Sequence, residues 1–147
     1  MAVANIKVTL FCPIEKVWNK VTDLNDFYWR SDIRDIKIID ENNFVEITKD
    51  GVETHFKVTE YTKHQCWSFE IENENIKGNW VGKFYSHGNN TTLDFTENII
   101  AKKIIFKPFV ASYLRKQQKI YFQDLKKNLI AMKQVMFKCY ENKLKIN

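Results

Sequence analysis

The sequence predicts one α+β domain in which an antiparallel sheet packs against a long C-terminal helix. A chain of 147 residues with 44% apolar side chains has the size of a single domain with its own core. Short segments of alternating polarity follow one another over residues 33–100, which is typical of strands. A segment with helical periodicity and without glycine or proline follows Pro108. We expect the domain to span residues 1–147.

The first elements are a strand and a short helix. Residues 4–11 alternate apolar and polar side chains with a period of two, which predicts a half-buried strand. Pro13 at a first helical position and Glu15 in the first turn predict a helix over residues 13–22. The aromatic segment at residues 24–29 predicts a second short helix or a turn.

Six further strand segments follow, and turn residues separate them. They are residues 36–39, 44–48, 52–60, 66–72, 77–87 and 91–99. The separators include Asp50-Gly51 and Gly88-Asn89-Asn90, which favour the positive backbone torsions of tight turns. Because short connections make neighbouring strands antiparallel, we expect a curved seven-stranded sheet.

The C-terminal segment predicts a long amphipathic helix. At about 100 degrees per residue from Phe109, apolar side chains gather on one side and basic side chains on the other. The apolar side holds Phe109, Val110, Tyr113, Leu114, Ile120, Tyr121, Leu125, Met132 and Val135, and the basic side holds Arg115, Lys116, Lys119, Lys126 and Lys133. We expect the apolar side to pack on the sheet, which is the large apolar surface that the rest of the chain offers.

Charge is divided unevenly along the chain, although its total is only +5. Residues 1–100 hold 11 basic and 16 acidic side chains, whereas residues 101–147 hold 12 and 2. We interpret the basic excess as the solvated side of the helix lying on an acidic sheet. Arginine is scarce and the aromatic residues are not interleaved with the lysines, so no nucleic-acid partner is predicted. Contact of the lysines with an anionic membrane surface stays open as an alternative.

Cysteine and histidine usage predicts neither a disulfide framework nor a metal site. The residues concerned are Cys12, Cys66, Cys139, His55, His64 and His87. The cysteines are odd in number and far apart, and the histidines are expected on an outward strand face, in a turn and at a strand end. No cofactor is predicted. Residues 1–20 lack the apolar stretch of a signal peptide, and no window reaches the roughly 20 apolar residues of a membrane span, so we expect a cytoplasmic protein.

Polar side chains also occur on surfaces that are expected to face the core. Gln117 and Asp124 fall in the apolar sector of the helix, and Glu97 shares the inward parity of its strand. A buried polar group without a partner costs roughly 2 to 7 kcal/mol, so these groups should meet water, a ligand or one another. The alternative is that Asp124 and Glu97 lie near a cavity mouth or pair with Lys102 or Arg30.

The order of the elements resembles a known fold. A strand, two short helices, a six-strand meander and a long C-terminal helix are similar to the helix-grip fold of the SRPBCC superfamily, which includes START lipid-binding domains, Bet v 1-like proteins and polyketide cyclases. The most specific match is residues 6–23, where Pro13, Glu15 and Trp18 stand in the pattern of the family's opening. A second match is residues 88–97, a turn followed by a strand that begins with Thr and ends in Glu.

The resemblance implies a cavity between the sheet and the C-terminal helix, usually occupied by a hydrophobic or amphipathic small molecule. It makes the inward aromatic rings candidate cavity walls, although stripes of rings also simply fill cores. The expected walls are Phe56, Trp67, Trp80 and Phe84, the expected entrance is Phe27 and Trp29, and the expected orienting polar groups are Tyr113, Gln117, Tyr121, Asp124 and Glu97.

The predicted function is binding of a small hydrophobic or amphipathic molecule, lipid-like or polyketide-like, in that cavity. One alternative is an enzyme similar to polyketide cyclases and dehydratases, because such chemistry needs only a shaped pocket and a positioned acid or base, here Asp124 or Glu97. A second alternative is a protein- or membrane-interaction module that uses the basic helix face and has a filled core.

Overall fold

The computed structural model describes residues 1–146, apart from the side chains at positions 135–137, 140, 144 and 146. Its elements are β1 (Ala2–Leu10), α1 (Ile14–Thr22), β2 (Ile33–Ile38), β3 (Asn43–Thr48), β4 (Glu53–Thr62), β5 (Cys66–Glu72), β6 (Ile76–His87), β7 (Asn90–Ala101), a 3₁₀ turn (Ile104–Phe106) and α2 (Lys107–Ile146). The predicted α+β class is confirmed. Val135, predicted on the apolar side of the helix, lies outside the described side chains.

The seven strands form one antiparallel sheet in the order β1-β7-β6-β5-β4-β3-β2. From β2 to β7 each strand pairs with the next in sequence, as the tight turns predict. β1 pairs with β7 along its whole length, from Ala2 opposite Ile99 to Leu10 opposite Thr91. The register shifts between β2 and β3 and between β4 and β5. Such irregularities bend a sheet, and we call the side that α2 covers the inner face.

The second predicted short helix is not formed. Residues 23–32 make successive turns between α1 and β2. The Asp23 carboxylate accepts a hydrogen bond from the backbone N–H of Asn25 at 3.0 Å, and the Trp29 indole N–H donates to the carbonyl of Asp26 at 3.0 Å. Bonds of this kind between side chain and backbone compete with helical hydrogen bonding, so the turn interpretation of this segment is the one the structure supports.

α2 packs mainly on β1 and β7, but through a side that differs from the predicted one. Its buried side chains are Val110, Leu114, Gln118, Phe122, Leu125 and Leu129. Phe109, from which the predicted apolar side was counted, is 66% exposed, and Tyr113 is also exposed. The buried side is therefore rotated by about one fifth of a turn from the prediction. The basic residues named above are exposed, as expected.

One closely packed part of the core lies where α1 contacts β6 and β7 and where α2 contacts β7. Trp18, Leu93, Phe95 and Leu125 are almost fully buried there. The ring of Trp18 lies 4.7 Å from the ring of Phe84, edge to face. Toward β3 and β4, the inner face is separated from α2 by an open space, which is the candidate site.

Candidate functional site

A cavity of about 540 Å³ lies between the inner face of the sheet and the N-terminal half of α2. Turn residues between α1 and β2 form one of its sides. Much of the lining is aromatic and comes from β3 to β7, namely Phe44, Phe56, Trp67, Phe69, Trp80 and Phe95. Cavities of about 300–1,000 Å³ with predominantly apolar walls are typical of small-ligand sites.

The aromatic side chains of the wall hold one another in place. Phe44 and Phe56 are stacked with their ring centres 4.8 Å apart, and Phe69 and Trp80 are stacked at 4.6 Å. Gly82 leaves room for the Trp80 indole, because a Cβ at position 82 would collide with it and would lie 3.0 Å from the Phe95 ring. The position of the Trp80 ring therefore depends on a glycine two residues further along the same strand.

A charged cluster forms one part of the polar lining. The Arg30 guanidinium, largely buried, donates to Glu46 at 2.6 Å and to Asp32 at 3.2 Å. It also lies 5.1 Å from the ring centre of Tyr121 on α2. Burial disfavours the charge of Arg30, but the carboxylates of Glu46 and Asp32 outweigh that effect and raise its pKa above the usual value. Two carboxylates thus share one guanidinium, and the cluster keeps a net negative charge.

Glu97 projects from β7 into the same cavity. Burial is the main reason that the pKa of Glu97 rises from 4.5 to about 7, and the negative charge of Glu46 adds to the rise. A hydrogen bond from Gln118 and the positive charge of Arg30 oppose it. The carboxyl group of Glu97 therefore changes its protonation state near neutral pH, where a carboxyl group of ordinary pKa is ionised.

Gln118 on α2 is the most deeply buried polar group of the lining, with 4% of its surface exposed. Its amide nitrogen donates to the carbonyl of Ala4 at 3.1 Å and to Glu97 at 3.5 Å. Its amide oxygen has no hydrogen-bond partner within the described part of the chain. The cavity therefore combines apolar walls with a polar end where two buried acceptors, the amide oxygen of Gln118 and one carboxylate oxygen of Asp32, have no partner within the described residues.

Residues 1–130 match the model of a family described as polyketide cyclase / dehydrase and lipid transport. The chain belongs to this family. The matched segment covers the whole sheet and the part of α2 that lines the cavity, so the family assignment includes the entire candidate site. It also confirms the resemblance to the SRPBCC superfamily that the opening motif indicated.

Several solved structures share the fold of this protein over most of its length. A START superfamily protein from Mycobacterium smegmatis has a TM-score of 0.82 at 12% identity, covering 90% of this chain and 99% of its own. A conserved protein from Geobacillus kaustophilus has a TM-score of 0.77 at 14% identity, with 88% and 95% covered. A protein from Thermus thermophilus has a TM-score of 0.70 at 12% identity, with 88% and 98% covered. At such identities the likeness concerns the fold alone. No curated protein sequence matches the chain significantly.

Most of the residues predicted for the site line the cavity. These are Phe27, Trp29, Phe56, Trp67, Trp80, Glu97, Tyr113, Gln117 and Tyr121. The two that do not are Phe84 and Asp124. Phe84 belongs to the packed core, where its ring contacts Trp18 and lies 5.9 Å from that of Phe95, because β6 continues past the cavity to the region below α1.

Asp124 lies on the flank of α2 rather than over the cavity. Its carboxylate accepts hydrogen bonds from the backbone N–H and the hydroxyl of Ser31, at 2.8 and 2.7 Å. It thus ties the helix to the segment between α1 and β2. Asp124 lies in the same helix sector as Gln117, which lines the cavity, but the lining contributed by α2 ends at Phe122, so Asp124 lies past the cavity along the helix. The rotation of α2 accounts for Gln118, which it brings inward.

The predicted ion-pair alternatives for Glu97 do not form either. Lys102 donates to Glu72 at 2.9 Å on the exposed surface, and Arg30 bonds to Glu46 and Asp32. The Glu97 carboxyl group therefore accepts a hydrogen bond from Gln118 and otherwise faces the cavity.

The sequence does not predict several polar residues of the lining, among them Glu46, Asp32 and Gln118. Glu46 lies two residues after Phe44 on β3 and therefore faces the same side of the sheet. The alternation of the strand could have identified Glu46 as an inward residue. Gln118 follows Val110 and Leu114 at a spacing of four, which is the spacing of the buried helix side. Asp32 lies in a turn region, where no periodicity indicates direction.

Within the described residues, no group of three or more His, Cys, Asp and Glu side chains is placed to hold a metal ion. In the same part of the chain, no helix is long and apolar enough to cross a membrane.

Proposed function

We propose that this protein binds a small hydrophobic or amphipathic molecule in the cavity between its sheet and α2. The observation that carries the proposal is the cavity of about 540 Å³ with its aromatic walls and a few convergent polar groups. The family description, which includes lipid transport, supports the same function. A space of this size argues against the alternative of an interaction module with a filled core. The cytoplasmic location stays a prediction.

Filling the cavity tests this proposal. Thr54 lines the cavity on β4, whereas Thr59 on the same strand is exposed. We expect Thr54→Trp to weaken binding of the neutral fluorophore N-phenyl-1-naphthylamine at least tenfold, or about 1.4 kcal/mol, because the indole would occupy the binding space. Thr59→Trp should leave the affinity unchanged. Native mass spectrometry and fluorescence titration provide the measurements, and equal affinities of the two variants would contradict a cavity site.

We further propose that the ligand is exchanged at an anionic membrane surface. Ile104 and Ile105, in the turn before α2, are 81% and 71% exposed, and Phe109 is exposed as well. In the sequence, Lys103 directly precedes the two isoleucines, and Lys107 lies between them and Phe109. Phe109 also lines the cavity, so the apolar patch continues into the site. Exposed apolar clusters flanked by lysines are suited to the interface of a membrane with negative headgroups.

Vesicle sedimentation tests the membrane contact with a matched pair of exposed isoleucines. Ile105 lies in the patch, and Ile130 lies far along α2. We expect Ile105→Ser to reduce sedimentation with vesicles of phosphatidylcholine and phosphatidylserine, and Ile130→Ser to leave it unchanged. If the wild-type protein does not sediment with these vesicles at low salt, the membrane part of the proposal is wrong, whereas the cavity part stands.

A second candidate function is acid–base catalysis, and the observation that favours it is the pKa of Glu97. A carboxyl group with a pKa of about 7 inside an apolar cavity is suited to proton transfer at neutral pH. This is the chemistry that a cyclase or dehydratase would need. With a linear poly-β-ketone as probe, an enzyme should lose turnover in Glu97→Gln while its circular dichroism spectrum is retained. Wild-type turnover in that variant would exclude Glu97 as the acid or base.

A further inference from the structure

We infer that the polar end of the bound molecule is a hydrogen-bond donor without negative charge, a hydroxyl or an ammonium group, which donates to Gln118 and Glu97. This inference rests on the proposed binding function and specifies its ligand. It excludes a carboxylate, the polar end of a fatty acid.

The orientation of the Gln118 amide gives the first argument. Its nitrogen faces two acceptors, the carbonyl oxygen of Ala4 and the carboxyl oxygen of Glu97. If the amide were flipped, its oxygen would face the Ala4 carbonyl oxygen, and two acceptors would meet. The hydrogen bonds therefore fix the amide nitrogen toward Ala4 and Glu97 and the amide oxygen on the opposite side. The amide oxygen is buried and lacks a partner among the described residues. An unsatisfied buried acceptor is costly, and a donor on the ligand would satisfy it.

The charges around the polar end give the second argument. Arg30 is bonded to both Glu46 and Asp32, so its positive charge is already more than matched. One oxygen of Asp32 is also buried without a partner in the described structure. Glu97 adds a further acidic group to the same lining. A ligand carboxylate would enter a region that is rich in acceptors and negative on balance, where like charge is unfavourable.

The charged cluster also contains one buried donor without a partner, and this donor is compatible with a hydroxyl group on the ligand. The Nε atom of Arg30 is buried and has no partner within the described residues. It could donate to the oxygen of a hydroxyl group whose own proton goes to an acceptor of the lining. It does not favour a carboxylate, because the guanidinium charge is already matched by Glu46 and Asp32.

Competition on the wild-type protein tests the inference with ligands that share one chain and differ only at the polar end. Bound N-phenyl-1-naphthylamine is displaced with dodecan-1-ol, dodecylamine, methyl laurate or laurate. We expect the alcohol or the amine to displace the probe at concentrations about tenfold lower than laurate and methyl laurate. Laurate or methyl laurate displacing the probe as well as both donors would overturn the inference. If the probe does not bind at all, the cavity function itself fails, which is a different result.

Two neighbouring glutamines provide a matched pair of variants. Gln117 lines the cavity but is only half-buried, whereas Gln118 is the buried amide. We expect Gln118→Met to reduce the preference for dodecan-1-ol over methyl laurate about fivefold, since the acceptor is lost. Gln117→Met should keep the preference. An unchanged preference in a folded Gln118→Met protein would contradict the role of Gln118. Should that variant not fold, the wild-type ranking decides alone.

Discussion

The same strands build two very different regions of the inner face. Below α1, β6 and β7 present Phe84 and Leu93 to a core in which Trp18 is 1% exposed. Further along, β7 presents Glu97, and β3 presents Glu46, to a cavity that also contains a buried guanidinium. The packed region gains stability from apolar contacts, whereas the cavity region keeps open volume and polar groups that only a ligand or water can satisfy. Dense packing and open volume are therefore located in separate parts of one sheet.

The largest expected effect is the difference between two Phe→Ala substitutions. Phe84→Ala should reduce the free energy of unfolding by about 3 to 5 kcal/mol, because it leaves a void in a densely packed core. Phe56→Ala borders an existing cavity, so we expect its cost to be at least about 1 kcal/mol smaller. Urea unfolding of both variants measures the difference. Equal costs would mean that the two regions do not differ in packing as described.

The next effect is a pH dependence of stability that arises in the cavity region. The unfolded chain releases the Glu97 proton near its ordinary pKa of 4.5, whereas the folded protein retains it up to a pKa of about 7. The folded state therefore binds more protons between these values, and stability falls as the pH rises through that window. The contribution of Glu97 is on the order of 3 kcal/mol.

Glu97→Gln is the control for this dependence. It keeps the shape of the side chain and removes the titration, so the free energy of unfolding should vary less between pH 4.5 and 8. The variant should also be more stable than the wild type at pH 8. Unfolding curves at several pH values test both points, and a variant with the wild-type pH dependence would assign the effect to another group.

The smallest expected effect concerns Asp124, which was predicted as a site residue and bonds to Ser31 instead. Asp124→Asn weakens two hydrogen bonds at an exposed position, so we expect a loss of about 1 kcal/mol in stability. The affinity for N-phenyl-1-naphthylamine should stay at the wild-type value. A marked loss of probe affinity with unchanged stability would return Asp124 to the binding site.

Alternation and turn chemistry predict the sheet well in this chain, because each strand has one buried face and a short connection. The sequence correctly predicts a long C-terminal helix, but not the rotation of that helix about its axis. Phe109 was counted as buried, yet it lies at the mouth, and an exposed aromatic residue cannot be distinguished from a buried one by periodicity alone. Asp124 lies in the same helix sector as the cavity-lining Gln117, and periodicity does not indicate where along the helix the cavity ends.

The polar lining was predicted only in part. Glu97 was found because an acid on an inward strand face is unusual and calls for an explanation. The pairing of Arg30 with Glu46 joins a turn to a strand that lies 16 residues further along the chain, and no local pattern carries that information. Side chains on turns point in directions that only the tertiary structure determines.

The pairing of β1 with β7 has a consequence for how the protein is made. Thr91, the partner of Leu10, leaves the ribosome long after β1 has emerged. At about 5 to 20 residues per second, the first strand waits on the order of several seconds for its neighbour. During that time its apolar side chains and backbone hydrogen-bonding groups are open to other chains. Nascent chains that stall before β7 should therefore depend on chaperones more strongly than chains that have completed the sheet.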